Sequence, residues 1–453
     1  MIGIFDTLNA ARPTRREVLR AGALGTVGLS LPQLLRAESA ARKTRIKSCI
    51  MVFAFGGPAQ QETFDMKPDA PAEIRGEFKP IDTNVAGIRI CEHLPKLAKL
   101  ADQYAIIRSA THKNRVHNPG SFYALTGRKP SADVVQFPAK RDDWPAIGSI
   151  LAKVRPIDRP LPPYVVLPIF ANDIGIPTPG QHGGFLGTSV DPLIINSDPS
   201  KPNFTVPALM PRAELTADRM DARRGLLAQV NAQVAALGES APAQNLDRHY
   251  ERAFDLVSSA ASKQAFDISQ ESAATRDRYG RTRHGQSVLL ARRLVEAGVR
   301  LVLVNDAEDN GQNKRWDTHG DGFKTMKKYL PETDNAVSSL LEDLRERGML
   351  DSTLVLVTSE FGRTPKINAT AGRDHYPRVY SAALAGGGFK RGFVYGSSNS
   401  TASEPEEDAV RIEDVLTTVY RQIGINADKE LMTPGARPVE IIDGGVVVKD
   451  LLA

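Results

Sequence analysis

The chain has 453 residues, of which 41% are apolar and 25% are charged. These values are typical of a soluble globular protein and leave room for one large domain or two smaller ones. The formal net charge is +5. No basic helix with interleaved aromatic side chains occurs, so the sequence gives no support for nucleic-acid binding.

The first 40 residues have the pattern of a twin-arginine export signal. The segment TRREVLR, residues 14–20, contains paired arginines and precedes an uncharged stretch of 15 residues, AGALGTVGLSLPQLL. That stretch is shorter than the roughly 20 residues that a membrane-spanning helix needs, and small residues follow it. We predict a periplasmic or secreted protein, attached to a membrane only if the signal stays uncleaved. An amphipathic helix that remains on the protein is the alternative.

After the signal, patterns typical of strands alternate with patterns typical of helices. Near-continuous apolar runs predict buried strands, and longer periodic segments predict helices. The predicted strands are residues 47–58, 104–110, 162–170, 300–306, 352–362 and 380–389, and the predicted helices are residues 94–103, 117–127, 145–154, 282–298, 323–348 and 412–424. A hairpin or an edge strand is predicted near the C-terminus. This order indicates an α/β fold with a mostly parallel sheet and helices on both faces.

One region differs in composition from the rest of the chain. Residues 171–210 are rich in Pro, Gly, Asn and Asp, which predicts a long ordered loop region facing a site. From 212 to 297 the sequence is rich in Ala, Arg, Leu, Gln and Glu, which predicts two or three helices. We interpret 171–297 as a loop-rich and helical insertion within a single domain of residues 41–453.

Only two cysteines occur, Cys49 and Cys91, and both lie in strand-like segments. No CxxC pattern is present, so a thiolate metal site is not expected. An oxidising compartment permits one disulfide, but the two positions are more typical of separately buried thiols.

The segment HNPGSFYALTGR, residues 117–128, predicts a short helix that opens on an imidazole. Asn118 is the predicted N-cap, Pro119 the first helical residue and Gly127 the end. Such a helix start offers free backbone N–H groups to an anion. His117 could attack that anion, bind a metal ion or simply pack, and the residues alone leave these roles open.

Acidic and imidazole side chains follow several of the predicted strands. Because the ligands of parallel sheets gather at the C-terminal ends of strands, these loops are expected to converge. Four of the eight histidines lie in them. The candidate residues are Glu62, Asp65, His112, His117, Asp317, His319, Asp321, Glu360, Arg363, Arg373, Asp374 and His375. His112 is more typical of a loop histidine in solvent.

Several of these residues also have a plain structural interpretation. Asp317 and His319 can point the same way from an extended segment, but a capping Asp and a packed His explain them equally well. Asp374 and His375 fit a surface ion-pair network, and Glu360 fits a salt bridge to a nearby arginine. A mixed carboxylate and imidazole site suits Zn, Mn or Fe, whereas carboxylates alone favour Ca or Mg.

Two sets of motifs resemble those of known families. HNPGSFYALTGR is similar to the sulfatase motif Cys/Ser-x-Pro-x-Arg-x-x-x-Leu-Thr-Gly-Arg of the alkaline-phosphatase superfamily, with His117 at the nucleophile and Ser121 at the arginine. Between Lys47 and Val448, the blocks GGP…ETFD, GEFKPI, LPKLA, WDTHGDGF, SEFGRTPKIN, GRDHYP and LAGGGFKRGFVYG resemble a sulfatase-like family of unknown function that carries twin-arginine signals. The resemblance implies an alkaline-phosphatase-like three-layer sandwich but no established reaction.

The resemblance also implies roles for individual residues. His117 would lie under the reacting group as nucleophile or ligand, and Ser121 would be a fallback nucleophile. Arg363 and Arg373 would clamp anionic oxygens. The resemblance implies Asp317, His319, Glu360 and His375 as ligands of a divalent ion, Zn, Mn or Ca, and we add Asp374 from its position in the loop before His375. No Cys or Ser stands where sulfatases need a formylglycine precursor, and Phe55-Gly56-Gly57 replaces their paired Asp.

These observations predict an exported, metal-dependent hydrolase-like protein. Its substrate would be a small anionic phosphate or sulfate ester, or a sulfated or phosphorylated glycan. The alternative is a non-catalytic envelope protein that binds an anionic glycan or a partner through the same cleft. The altered nucleophile position favours the alternative, and the density of ligand-type residues favours the enzyme.

Overall fold

A computed structural model describes residues 46–453 except 158, 211–217, 220–221, 224, 227–228, 230–253, 308–314 and 434. The predicted export signal at 1–40 lies outside the described residues. So does much of the first half of the segment predicted to be helical between 212 and 297.

Within the described residues, the central sheet has nine strands. They are β1 Ser48–Phe53, β2 Tyr104–Thr111, β3 Tyr164–Leu167, β4 Leu193–Ile194, β5 Leu301–Asn305, β6 Thr353–Thr358, β7 Tyr380–Gly386, β8 Phe393–Tyr395 and β9 Val410–Arg411. Their order is β8-β2-β7-β6-β1-β5-β3-β4, with β9 beside β2. Only β7 pairs antiparallel with its neighbours, so the C-terminal ends of β1, β2, β5 and β6 share one edge.

The described residues also form α-helices, several of which pack on the two faces of this sheet. The helices are α1 Ala72–Arg75, α2 Pro95–Ala98, α3 His117–Thr126, α4 Ile147–Val154, α5 Ala260–Phe266, α6 Ala273–Tyr279, α7 Arg283–Ala297, α8 Gly322–Glu346 and α9 Ile412–Gln422. None of these helices combines the length and apolar character that crossing a bilayer requires.

Two apolar cores cover the two faces of the sheet. Along β1, Ile50 and Val52 join the core that α7 and α8 complete, whereas Met51 and Phe53 join the core formed with α3, α4 and α9. Burial on both faces explains why this strand reads as a continuous apolar run. The predicted three-layer α/β sandwich with a mostly parallel central sheet is confirmed.

The start of α3 differs from the prediction. The helix begins at His117 with Val116 as its N-cap, so Asn118 is the second helical residue and not the cap. The carboxylate of Asp133 accepts the backbone N–H groups of Arg115 and Val116 at 2.9 and 3.2 Å. Because an acid from another loop supplies the negative charge that a helix start favours, no local cap is needed.

Other parts of the prediction hold with small changes. The helix predicted at 94–103 is α2 followed by the 3₁₀ turn Ala101–Gln103. The loop-rich region contributes β4 to the edge of the sheet, and α7 belongs to a core layer. Both cysteines are buried free thiols, as expected. The two-stranded sheets pair Pro80–Asp82 with Arg89–Cys91, Asn172–Asp173 with Ile176–Pro177, Gly362–Arg363 with His375–Tyr376, Ser397–Ser398 with Pro405–Glu407, and Glu430–Met432 with Pro438–Glu440.

Candidate metal centre

Loops from four strands meet at the C-terminal edge of the sheet. His117 follows β2 at the start of α3, and Asp317 and His319 lie between β5 and α8. Glu360 follows β6, and His375 precedes β7, whose antiparallel direction places its start at the same edge. The predicted convergence of these loops therefore agrees with the geometry.

The carboxylate of Asp317 lies among three imidazoles. Its Oδ1 is 3.1 Å from Nε2 of both His319 and His375, and its Oδ2 is 3.4 Å from Nε2 of His117. The Nε2 atoms of His319 and His375 are 2.9 Å apart. Ligand atoms of His117, Asp317 and His375 all lie within 4.8 Å of one another. Three of these side chains, His117, Asp317 and His375, thus turn potential ligand atoms towards one point, and His319 adjoins them through Asp317 and His375.

The other ring nitrogen of each imidazole, Nδ1, faces an oxygen that can only accept. The three contacts are His117 with Glu360 Oε1 at 2.7 Å, His319 with Asp374 Oδ1 at 2.8 Å, and His375 with the Arg115 carbonyl at 2.7 Å. Each Nδ1 therefore carries the proton, and each Nε2 presents a lone pair in the neutral ring. Oxygen partners on the outer nitrogen commonly orient imidazoles that bind metal ions.

Lone pairs and a carboxylate that face one another repel unless a cation lies between them. His117 is 2% exposed, and its Nε2 makes no hydrogen bond within the described part of the chain. Its contact with Asp317 Oδ2 is long, at 3.4 Å, and a buried polar atom without a good hydrogen bond costs about 1 to 3 kcal/mol. A divalent ion bound to the three imidazoles and Asp317 would remove both costs, so the residues present fit a metal ion.

Without a metal ion, protons would supply the positive charge at the centre. The pKa values of the side chains indicate which of them would carry these protons. Burial lowers the pKa of His375 to about 4. Burial also acts to lower the pKa of His117, but Asp317 and Glu360 outweigh it and raise that pKa. The hydrogen bond to Asp317 raises the pKa of His319. Burial acts to raise the pKa of Asp317, but its imidazole partners hold it far below its ordinary value, so Asp317 is ionised at neutral pH.

Glu360 and Asp374, both expected as metal ligands, lie one step outside the centre. Glu360 is fully buried, and its Oε1 accepts N–H groups from the His117 ring and from the Gly56 backbone. Asp374 faces the outer nitrogen of His319. One oxygen of each carboxylate therefore holds an imidazole in place. Oε2 of Glu360 is buried and has no hydrogen bond within the described residues.

Gly56 allows the loop of Asp317 to approach the end of β1. Its φ is 113°, and a Cβ there would lie 2.5 Å from the backbone nitrogen of Asp317 and 2.8 Å from that of Trp316. Few side chains tolerate this φ, and none fits the space. The glycine at this position thus has a packing reason.

Arg363 and Arg373 do not fit the expected role of anion clamps. Both guanidinium groups are buried, and their donors are occupied. Arg363 donates to the carbonyls of Gly56, Gly57 and Arg373 and, at 2.8 Å, to Asp317 Oδ1. Arg373 pairs with Glu62 and donates to the carbonyls of Ile74, Thr364 and Pro365. These arginines hold loops and Asp317, and they offer no exposed donor to an anion.

Two further positions are more buried than expected. Ser121, the fallback nucleophile one turn after His117, is fully buried with no hydrogen bond to its hydroxyl among the described residues. His112, expected in solvent, is 8% exposed, and burial lowers its pKa to about 4. Its Nδ1 accepts the N–H of Asn114, so its Nε2 is the donor to the Glu360 carbonyl at 2.7 Å. His112 thus supports the loop that carries Glu360.

The remaining acids of the predicted clusters do not reach the centre. Glu62 pairs with Arg373, and burial raises its pKa despite that partner. Asp65 binds Lys67 and the Ser398 hydroxyl. Asp321 directly precedes α8 in a left-handed conformation, with φ 48°.

Asp306 is a site residue that sequence reasoning missed. It directly follows β5, is 1% exposed and accepts from Nη1 of Arg315 and Nε1 of Trp316, both at 2.8 Å. These two donors directly precede Asp317. A buried acid at the strand end thus fixes the loop that carries Asp317, and the only sequence signal was its position after an apolar strand.

The fold and this cluster define an α/β protein with a histidine and carboxylate centre at the C-terminal edge of a mostly parallel sheet. The chain belongs to the family described as Protein of unknown function (DUF1501), whose model matches residues 46–452. This assignment agrees with the family of unknown function that the motif blocks resemble. No curated protein matches the chain.

Solved structures similar to the chain include sulfatases and related hydrolases. A sulfatase from Pseudoalteromonas sp. is 13% identical with a TM-score of 0.38, over 92% of this chain and 72% of that chain. A phosphonate monoester hydrolase from Silicibacter pomeroyi is 14% identical with a TM-score of 0.36, over 90% and 76%. A lipoteichoic acid synthase from Listeria monocytogenes is 10% identical with a TM-score of 0.37, over 89% and 75%.

Proposed function

We propose that this protein is an exported hydrolase that uses a divalent metal ion to cleave phosphate or sulfate esters, either small esters or those on a glycan. One observation carries the proposal. The Nε2 atoms of three histidines each face the carboxylate of Asp317, while acceptors hold all three outer nitrogens.

His117, Asp317, His319 and His375 would hold the ion. Three imidazoles and one carboxylate suit Zn or Mn better than Ca, because Ca²⁺ prefers a shell of oxygen ligands. When bound, such an ion supplies a Lewis acid for the ester oxygens and lowers the pKa of a water ligand.

The chain's own residues fix the geometry of this centre. Glu360 holds the Nδ1 proton of His117, and Arg363 holds Oδ1 of Asp317. The His319 side chain is 47% exposed, whereas that of His117 is 3% exposed, so substrate would approach from the His319 side. Because the Nε2 of His117 would bind the ion, it would not be free to act as a nucleophile, which favours direct attack by water over a covalent enzyme intermediate.

Metal analysis and an ester screen test this proposal. We expect about one Zn or Mn per chain, and hydrolysis of 4-nitrophenyl phosphate or sulfate that a chelator abolishes. His375→Ala should lose both the metal and the turnover. His93→Ala is the control, because that ring packs on Phe78 and is not among the residues of the candidate metal centre.

The outcomes separate the two candidate functions. Stoichiometric metal without turnover of either ester would favour the non-catalytic envelope protein. The presence of His117 at the position of the expected Cys or Ser nucleophile also favours this alternative. A wild-type protein without metal and without turnover would remove both the metal centre and the hydrolase.

Export is proposed from the N-terminal sequence. Replacing Arg15 and Arg16 with lysine should keep the protein in the cytoplasm, since twin-arginine signals require the arginine pair. Cell fractionation with an antibody to the mature chain measures this. Equal periplasmic amounts of the double variant and the wild type would exclude the route.

A further inference from the structure

The backbone of Arg115 is anchored on both sides beside the centre. Its N–H donates to Asp133 Oδ2 at 2.9 Å, and its carbonyl accepts Nδ1–H of His375 at 2.7 Å. The carbonyl of Arg115 therefore lies on one side of the His375 ring, and the Nε2 atom that faces Asp317 lies on the other side. Two residues later the chain reaches His117. Arg115 thus has a fixed origin within side-chain reach of the proposed metal ion.

The side chain of Arg115 differs from those of the other arginines near the centre. It is exposed, and within the described ranges its guanidinium has no hydrogen bond or ion pair. Arg363 and Arg373 are buried with occupied donors. Arg378, three residues after His375, is exposed but pairs with Glu404 at 2.7 Å. Among these arginines in the described part of the chain, Arg115 is therefore the one whose guanidinium is still available to a ligand.

The charges of the centre require such a cation. The two charges of a divalent ion and the one on Arg363 are balanced by the carboxylates of Asp317, Glu360 and Asp374. The anion position at the start of α3 is already taken by Asp133. A phosphate or sulfate group that entered the centre would therefore need a further positive partner to hold its charge.

We propose that Arg115 binds the anionic oxygens of the substrate's phosphate or sulfate group, an inference that rests on the proposed function. The planar guanidinium presents paired N–H groups whose spacing matches two oxygens of such a group. The anchored backbone reduces the entropy that is lost when the side chain closes on its ligand. The sequence pattern does not single out this arginine, because it precedes the recognisable helix motif.

Substitution of Arg115 tests the proposal, with a nearby arginine as the matched control. Arg115→Met keeps most of the length and removes the charge, and Arg115→Lys keeps the charge without the paired donors. With 4-nitrophenyl phosphate, Arg115→Met should raise KM about tenfold to a hundredfold. Arg115→Lys should recover part of that loss, and Arg378→Met should leave KM within about twofold. The metal content of all variants should equal that of the wild type.

A binding measurement keeps this inference separate from catalysis. Calorimetric titration of the metal-loaded protein with inorganic phosphate, repeated with sulfate, should show affinity that falls about tenfold or more in Arg115→Met. Unchanged KM and unchanged phosphate affinity in this variant would overturn the role of Arg115. If the wild type binds phosphate through Arg115 but hydrolyses no ester, the proposed reaction fails and the anion site stands.

Discussion

The carboxylate of Glu360 accepts the Nδ1 proton of His117 at 2.7 Å, and this contact directs the opposite nitrogen of the ring towards Asp317. The same carboxylate oxygen accepts the backbone N–H of Gly56 at 2.8 Å. Glu360 therefore joins the end of β1 to the start of α3 beneath the centre. The pair decides which nitrogen of His117 is free to bind a metal ion.

Removing the charge of Glu360 should weaken metal binding while leaving the ligands in place. Glu360→Gln keeps an oxygen acceptor for His117 but makes its Nε2 a poorer ligand, so we expect about tenfold to a hundredfold lower zinc affinity. Asp374→Asn should have a smaller effect, because the Asp374 side chain is 59% exposed. Competition with a chromophoric chelator measures both. Equal affinity of Glu360→Gln and the wild type would argue against this role.

The fluorescence of a single tryptophan can report directly on zinc binding at the centre. The chain has only two tryptophans, and one of them, Trp316, is 1% exposed and directly precedes Asp317. Its indole N–H binds Asp306. In a Trp144→Phe background, zinc should change the fluorescence of Trp316 and reach saturation at about one equivalent. Adding His375→Ala should abolish the response, and a response that persists in that variant would place zinc elsewhere.

The sequence predicted the fold well because apolar runs and helical periodicity report burial directly. The run from residue 47 to 58 contains β1, and the segment 323–348 contains nearly all of α8. The direction of β7 was not predictable, since antiparallel pairing depends on strand contacts across the sheet. That direction brings Pro377 beside the end of β2, where its carbonyl accepts the backbone N–H of His112.

Part of the candidate site was predictable, whereas the positions of Glu360, Asp374, Arg363 and Arg373 around it were not. Strand-end positions placed His117, Asp317, His319 and His375 in one region, because parallel strands end at one edge. Which acids face the centre depends on side-chain packing across the loops. The burial of Arg363 and its hydrogen bonds to carbonyls have no local sequence signal, and this is why it was expected to bind an anion.

The stability of the protein should depend on pH through Asp306. Burial acts to raise its pKa, but the charge of Arg315 and its other donors lower it below the ordinary value. A lowered pKa in the folded state stabilises the fold above the unfolded-state value of about 3.9, and this contribution is lost as pH falls through that value towards the folded one. Between pH 5 and 3, the free energy of unfolding should therefore fall more steeply for the wild type than for Asp306→Asn. Urea titrations at fixed pH measure this, and equal slopes would contradict it.

Alanine substitutions at two glycines with positive φ distinguish the effect of backbone strain from the effect of crowding at the centre. Gly56 has φ 113°, and a Cβ there would lie 2.5 Å from the Asp317 nitrogen, whereas Gly87 has φ 83° and nothing within 4 Å of a Cβ. Alanine strains the backbone at both sites, but only at Gly56 must it also displace the loop of Asp317. Gly56→Ala should therefore cost about 1 to 3 kcal/mol more than Gly87→Ala and should lower zinc affinity, which Gly87→Ala should leave unchanged. Denaturant titration and zinc competition measure the two effects. If both alanine variants bind zinc as the wild type does, the approach of the Asp317 loop to Gly56 is not what sets the position of Asp317.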